Sequence, residues 1–245
     1  MNLECIGCHR GLHLFNFDLH VHTVKGSTDS GLLPDQLIAE AKRIGLNGVF
    51  LSEHGGGWNA DQIKLEFGES NLTVTTGLEV NTDMGHIIVV GLDSYVSGIH
   101  KLKILREKVD EVGGVLIAAH PLRNFFNRPP YNVNLLYGDW KTPPETPEQA
   151  AEHELFSLVD CIEVTNGANS EKENEFTLEI ANYLGKPATG GSDSHSDQGI
   201  GKSYTVFENE ILDRETLIAE IKANRFYPAE GLNTGNIKDF RLSDS

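Results

Sequence analysis

Phe17-Asp18-Leu19-His20-Val21-His22-Thr23 closes the first apolar segment of the chain, Leu12 to Phe17. Residues two apart on a strand point to one face, so Asp18, His20 and His22 share a side if the strand runs through them. Buried together, such groups are costly unless something pairs with them. A divalent cation does so readily, because neutral imidazole is a common metal ligand. An edge strand carrying exposed histidines is the competing reading of this stretch alone. The rest of the chain has to decide between the two.

Moving outward, the same punctuation recurs. Gly48 to Leu51 reads as a short buried strand that stops at Ser52-Glu53-His54, before three glycines. Leu72 to Gly77 runs into Leu78-Glu79-Val80. Val115 to Ala119 delivers His120-Pro121-Leu122-Arg123. Cys161 to Val164 ends at Thr165-Asn166-Gly167, and Lys186 to Gly191 leads to Ser192-Asp193-Ser194-His195. His86 is the exception, since it opens its apolar run. It reaches the others only if that strand bends back or runs opposite to its neighbours.

Helical spacing fills the intervals at Leu33 to Ile44, Ala60 to Phe67, Ile99 to Val112, Glu148 to Leu158 and Asn169 to Leu184. Ser203 to Phe207 reads as a late strand, Arg214 to Ala223 as a last helix, and the tail after Arg225 as polar and featureless. Strand and helix thus alternate about seven times, which predicts a parallel α/β architecture. In a barrel of parallel strands the polar strand ends meet on one face. Six of the ten histidines belong to this set, five at such ends and His86 at the start of its run. One buried histidine is easily explained as a satisfied core residue; this set is not. His9, His13, His100 and His153 fall outside the pattern and read as peripheral.

A chain of 245 residues is long enough to form one domain with a full core. We expect a single domain over 1–245 with its core at about 15–207. The proline- and aromatic-rich stretch 124–147 is expected to be a packed, lid-like loop. The net charge of −16 argues against non-specific binding to nucleic acid, but not against a small nucleotide held through metal ions. No apolar run reaches the roughly 20 residues of a membrane span, and no signal peptide opens the chain, so a cytoplasmic location is expected. Cys5, Cys8 and Cys161 make no disulfide framework. Cys5-Ile6-Gly7-Cys8-His9 has the form of a haem attachment site, but that chemistry requires export; free thiols or an incidental zinc contact are expected.

Asp18-Leu19-His20-Val21-His22-Thr23 resembles the first motif of the PHP family, named for polymerase and histidinol phosphatase domains. Glu53-His54, His120-Pro121 and Asp193-Ser194-His195 resemble its other three motifs, in order, so the likeness spans about residues 15–207. The resemblance implies a distorted (β/α)7 barrel holding two or three divalent metal ions. Carried over, it implies that His20, His22, Glu79 and Asp193 bind a first ion. Glu79 would share a second with His86 and His120, and Asp29, His54 and His195 would bind a third. Asp29 is the weakest match, because Thr28-Asp29-Ser30-Gly31 lies at an unusual distance from His22. Asp18 is expected to orient His20 or His22.

Imidazole and carboxylate without thiolate suit zinc, manganese or iron. Such a site can bring a metal-bridging hydroxide to attack phosphorus in line. Arg123, three residues past His120, is the candidate phosphate-binding cation, with a surface role as its rival. Asn166 reads slightly better as a cap for the next helix than as a substrate contact. The expected function is hydrolysis of a small phosphorylated metabolite, a monoester first, with Asp193, His195 and Arg123 as catalytic candidates. Within that class a nucleotide or sugar phosphatase is expected ahead of a histidinol phosphatase; a phosphodiesterase or exonuclease, hydrolysis of a carbon–nitrogen bond, and a non-catalytic metal-stabilised module are the alternatives.

Overall fold

The computed structural model describes residues 14–131 and 133–241; Cys5, Cys8, His9 and His13 lie outside the described residues. The elements in order are β1 (Phe15–Val21), α1 (Pro34–Ile44), β2 (Gly48–Glu53), α2 (Ala60–Phe67), β3 (Thr73–Thr82), β4 (Gly85–Val90), α3 (Leu102–Glu111), β5 (Val115–Ala118), α4 (Pro147–Ala150), α5 (Leu155–Leu158), β6 (Cys161–Asn166), α6 (Glu171–Leu184), β7 (Ala188–Gly191), β8 (Ser203–Phe207), α7 (Arg214–Lys222), β9 (Phe226–Glu230) and β10 (Lys238–Asp239). The strands form one mixed sheet ordered β10-β9-β8-β1-β2-β3-β4-β5-β6-β7.

The expected regular alternation fails once within β1–β7. β3 and β4 form an antiparallel hairpin with Thr82 opposite Gly85, and a two-residue connection leaves no room for a helix. β1, β2 and β3 are mutually parallel, as are β5, β6 and β7, while β4 is antiparallel to both of its neighbours. Of the two courses that the position of His86 left open, β4 therefore takes the reversed one. The sheet curls until its ends approach. Val21 bridges Ser194 in parallel, and the His22 N–H donates to the Ser194 carbonyl at 2.9 Å. β8 takes the first half of the same β1 edge, Phe15 to Phe17.

Apolar packing on both faces sets this curl. On β4, Ile87 and Val89 pack with Leu102 and Leu105 of α3, whereas Ile88 and Val90 join Phe17, Phe50 and Ile117 in a separate cluster. α1 buries Leu37 and Ala41 and stops at Gly45, whose φ of +74° is the left-handed conformation that glycine adopts at least cost. α6 opens on a reciprocal capping box between Ser170 and Glu173.

Two further expectations need correction. The predicted helix from Glu148 to Leu158 is two short helices, α4 and α5. The tail after Arg225 is not featureless: β9 pairs along β8 and carries β10, burying Phe226 and Ala229, so the sheet extends past the predicted core limit of 207. The 124–147 stretch packs through its aromatics. Tyr137 is buried and donates its hydroxyl to the Ala150 carbonyl at 2.7 Å, and Phe125 stacks on Phe176. Among the described residues, no helix is long and apolar enough to cross a membrane.

Candidate metal centre

The polar strand ends converge at one rim. His20, His22, Glu79 and Asp193 are all buried and place donor atoms within 4.8 Å of one another. Glu79, Asp193 and another strand-end histidine, His120, come from β3 and from the turns after β7 and β5. His120 and Asp193 have φ values of +30° and +53°, a strained conformation for residues with a Cβ. Such outliers persist where the surrounding structure over-determines them, as ligand sites do.

Glu79 lies at the middle. Its Oε2 is 3.3 Å from His20 Nε2, 3.2 Å from His22 Nε2 and 3.4 Å from His54 Nδ1. Its Oε1 is 2.8 Å from His86 Nδ1 and 3.0 Å from His120 Nε2. Asp193 Oδ1 lies 3.4 Å from His20 Nε2 and 3.2 Å from His22 Nε2. Burial alone would raise the Glu79 carboxyl; His20, His120 and His22 outweigh it and hold it well below the carboxylate range. Asp193 behaves likewise, with burial overcome by His20, His22, His120 and Arg123.

The hydrogen bonds behind the histidines decide what their front nitrogens are. His20 Nδ1 lies 2.9 Å from Glu163 Oε1, a carboxylate that can only accept, so this nitrogen carries the proton. His22 Nδ1 lies 3.0 Å from Ser27 Oγ, whose own proton goes to Glu53 Oε2 at 2.6 Å, so Nδ1 again donates. In the neutral ring both Nε2 atoms then present lone pairs to carboxylate oxygens. Neither Nε2 has a hydrogen-bond partner, although both are fully buried. Buried polar atoms are almost always satisfied, so this pair requires an explanation. With bonds of about 2.0–2.1 Å to nitrogen and oxygen, tetrahedral donors stand about 3.3–3.4 Å apart. The measured 3.2–3.4 Å spacings fit a cation in the midst of this set.

A second cluster joins Glu79, His86 and His120; a third joins His22, His54 and His195. Asp29 stands at the rim of the third, 57% exposed, with Oδ2 3.3 Å from His195 Nε2 and 3.6 Å from His54 Nε2. His195 Nδ1 lies 3.0 Å from the Asp193 carbonyl, which leaves its Nε2 facing Asp29. The structure therefore brings together all nine of the side chains expected to hold metal.

Other expectations change. Asp18 does not orient an imidazole. A register shift lies between Asp18 and Val21, and the Asp18 carboxylate accepts from the backbone N–H groups of Ser192, Gly201 and His20 instead. Burial pushes its carboxyl up to about 6. Asn166 is not the helix cap, which is Ser170; it bonds Glu163, Arg123 and the Ala168 N–H. Arg123 is no simple surface residue. Its Nη2 lies 2.6 Å from Asp193 Oδ2 and 2.8 Å from Asn166 Oδ1, and its Nε donates to Asn169 at 3.2 Å.

Two supporting residues escape sequence reasoning. Glu163 also accepts from the His120 N–H at 2.8 Å and from Asn166 Nδ2 at 2.9 Å, so it ties two ligand strands together. A signal for it exists: a carboxylate inside an otherwise apolar buried strand must have partners. Gly191 makes room for this link, because a Cβ there would lie 2.5 Å from both Glu163 Oε1 and His20 Cβ. Ser27 gives no local signal. Glu53, which directs it, is held by Thr23 and Trp58, so the second motif's glutamate braces the loop after β1 rather than facing the cluster.

Fold and site together define an α/β protein whose curled sheet gathers a histidine–carboxylate centre with the donor set of a divalent-metal site. Residues 171–226, from α6 into β9, match the family described as PHP-associated. An uncharacterized protein of Methanocaldococcus jannaschii is 31% identical over 117 residues, which cover 42% of this chain and 66% of that protein. Two solved structures share the fold. One, from Bifidobacterium adolescentis and described as a candidate metal-dependent phosphoesterase, is 18% identical, with a TM-score of 0.54, covering 85% of this chain and 96% of its own. The other, the lesion-specific endonuclease EndoQ of Pyrococcus furiosus, is 18% identical, with a TM-score of 0.53, covering 92% and 57%. The family match is thus confined to residues 171–226, and the two solved structures share the fold over most of the chain.

Proposed function

We propose that this protein is a metal-dependent hydrolase that cleaves phosphomonoesters of small metabolites. The observation that carries the reading is the pair of buried, unpartnered Nε2 atoms of His20 and His22, aimed between Glu79 and Asp193. We read β1 to β7 as the distorted (β/α)7 barrel of the family, supported by the Val21–Ser194 bridge.

His20, His22, Glu79 and Asp193 would hold one divalent ion, and Glu79, His86 and His120 a second. His54 and His195, with Asp29 or His22, would hold a third. Zinc, manganese and iron suit this nitrogen and oxygen set. Such ions, when bound, supply Lewis acidity toward phosphoryl oxygens and an acidified water at neutral pH. The protein's own residues do the rest. Glu163 and Ser27 hold His20 and His22 as Nδ1–H tautomers, keeping their Nε2 lone pairs free. Arg123 helps to keep Asp193 ionised and lines the cavity beside the centre, where it would bind a phosphate. Asp29, His54 and His195 are partly exposed and form the mouth through which substrate enters.

The test is hydrolysis of p-nitrophenyl phosphate beside bis-(p-nitrophenyl) phosphate by protein reconstituted with zinc, manganese or iron, with metal content measured in parallel. Metal binding and faster turnover of the monoester are expected. Metal-loaded protein that cleaves neither ester would refute the proposal. Preference for the diester would favour the phosphodiesterase reading, which the likeness to an endonuclease supports and the net charge of −16 disfavours for long nucleic acids.

A further inference from the structure

A cavity of about 90 Å³ opens beside the second cluster, with His86, His120 and Arg123 on one side. Its other walls are apolar: Met84 from the β3–β4 turn, Leu135 and Leu136 from the 124–147 segment, and Leu155 at the start of α5. Among the described residues no aspartate or glutamate lines it, and the uncharged polar side chains on it are those of Asn124 and Asn134. Asn134 is already committed: its Nδ2 donates to the carbonyls of Pro121 and Arg123, and its Oδ1 accepts from Leu136 and Tyr137. Asn124 Oδ1 likewise accepts from Asn127.

This composition discriminates among phosphate esters. A sugar or nucleoside brings several hydroxyls, each of which loses water on entry and needs a partner. The cavity has few to offer. A compact hydrocarbon group needs none and gains from burial against the leucines and Met84. Size sets an upper limit, because a closed cavity of about 150 Å³ holds benzene and this one, at about 90 Å³, suits a group no larger than that. Arg123, His86 and His120 line its polar side, where the phosphoryl group would lie.

We infer that the cavity is a specificity pocket for the organic part of the substrate, and that this part is a compact apolar group, a single ring or short branched alkyl chain, rather than a sugar or nucleoside. The inference rests on the proposed phosphoester chemistry.

Phosphonates test it without turnover. Methylphosphonate, phenylphosphonate and isobutylphosphonate are titrated calorimetrically into metal-loaded protein. Phenyl or isobutyl should bind at least about tenfold tighter than methyl, in line with the worth of one or two methylenes in an apolar pocket. Leu135→Asp, at a half-exposed position that tolerates a polar side chain, should cut that ratio to about threefold or less. Equal binding of all three by the wild-type protein would overturn the pocket and leave the proposed function standing. A wild-type ratio that Leu135→Asp does not change would also overturn it. Failure of every phosphonate, methylphosphonate included, would remove the phosphoester reading and the pocket with it. A parallel comparison of phenyl phosphate with ribose 5-phosphate as substrates should favour the former in kcat/KM; the reverse order refutes the assignment.

Discussion

Replacing Glu163 by glutamine tests whether the groups behind the ligands govern the centre. The carboxylate accepts three hydrogen bonds: His20 Nδ1 at 2.9 Å on Oε1, and the His120 N–H and Asn166 Nδ2 at 2.8 and 2.9 Å on Oε2. A carboxamide has one oxygen. Turned toward Oε1 it keeps His20 and sets two donors against its NH2. Turned toward Oε2 it keeps two bonds and presents NH2 to His20, so the second orientation wins by about one hydrogen bond. His20 then satisfies that NH2 only by accepting at Nδ1, which moves its proton to Nε2, the atom that faces Glu79 and Asp193. Metal binding must reverse this, at the cost of one buried hydrogen bond, about 1–3 kcal/mol. The expected loss of metal affinity is about 10–100-fold, the usual effect of such outer groups. Zinc affinity measured against a competing chelator, with a urea melt to confirm folding, reads it directly. A folded Glu163→Gln protein with unchanged zinc affinity would refute the tautomer argument.

His20→Ala should abolish metal retention at the first cluster with little loss of fold, as metal analysis and circular dichroism will read; retained metal contradicts the ligand assignment. Arg123→Met should raise KM for phosphate esters without weakening metal affinity, since it removes a cation that competes for Asp193; an unchanged KM returns Arg123 to a purely structural role. Gly191→Ala should destabilise by about 1–3 kcal/mol and lower metal occupancy, because its Cβ would part His20 from Glu163; wild-type melting and metal content would count against that link. Metal affinity should rise with pH above the ordinary imidazole value of about 6.5. Burial opposes charge on His20, but Asp193, Glu163 and Glu79 outweigh it and raise its pKa well above that value, so a proton competes with metal. In the metal-free protein the His20 contribution to stability is full below about 6.5 and lost as pH rises through the raised pKa. Those of Glu79 and Asp193 are present above about 4–4.5 and lost as pH falls through their depressed values. Chelator titrations at several pH values with flat affinity would contradict this.

Much of the site is legible in the chain itself. Short apolar runs ending in histidine or acid are a local signal, and His20, His22, Glu79, His120, Asp193 and His195 all announce themselves this way. His86 requires its strand either to bend back or to run opposite to its neighbours, and β4 does the second. The failures are of another kind. Asp18 lies two residues from His20 yet binds the backbone of Ser192 and Gly201, because β1 loses its simple alternation between Asp18 and Val21. A bulge is a property of strand pairing, which spacing along one strand does not encode. β9 is hidden because its pattern is short and contains Pro228; only pairing with β8 makes it a strand.

Residue order fixes the chemistry available here: which side chains end the strands, and that they are hard donors without sulfur. Local propensity and burial pattern suffice for that, since they act over a few residues. How those donors are armed is a matter of the folded chain. Glu163 reaches His20 across 143 residues, Arg123 reaches Asp193 across the rim, and the apolar wall beside them comes from three separate segments. Tautomer, charge state and pocket shape depend on distances between atoms far apart in the chain, and only the closed curl of the sheet sets those distances.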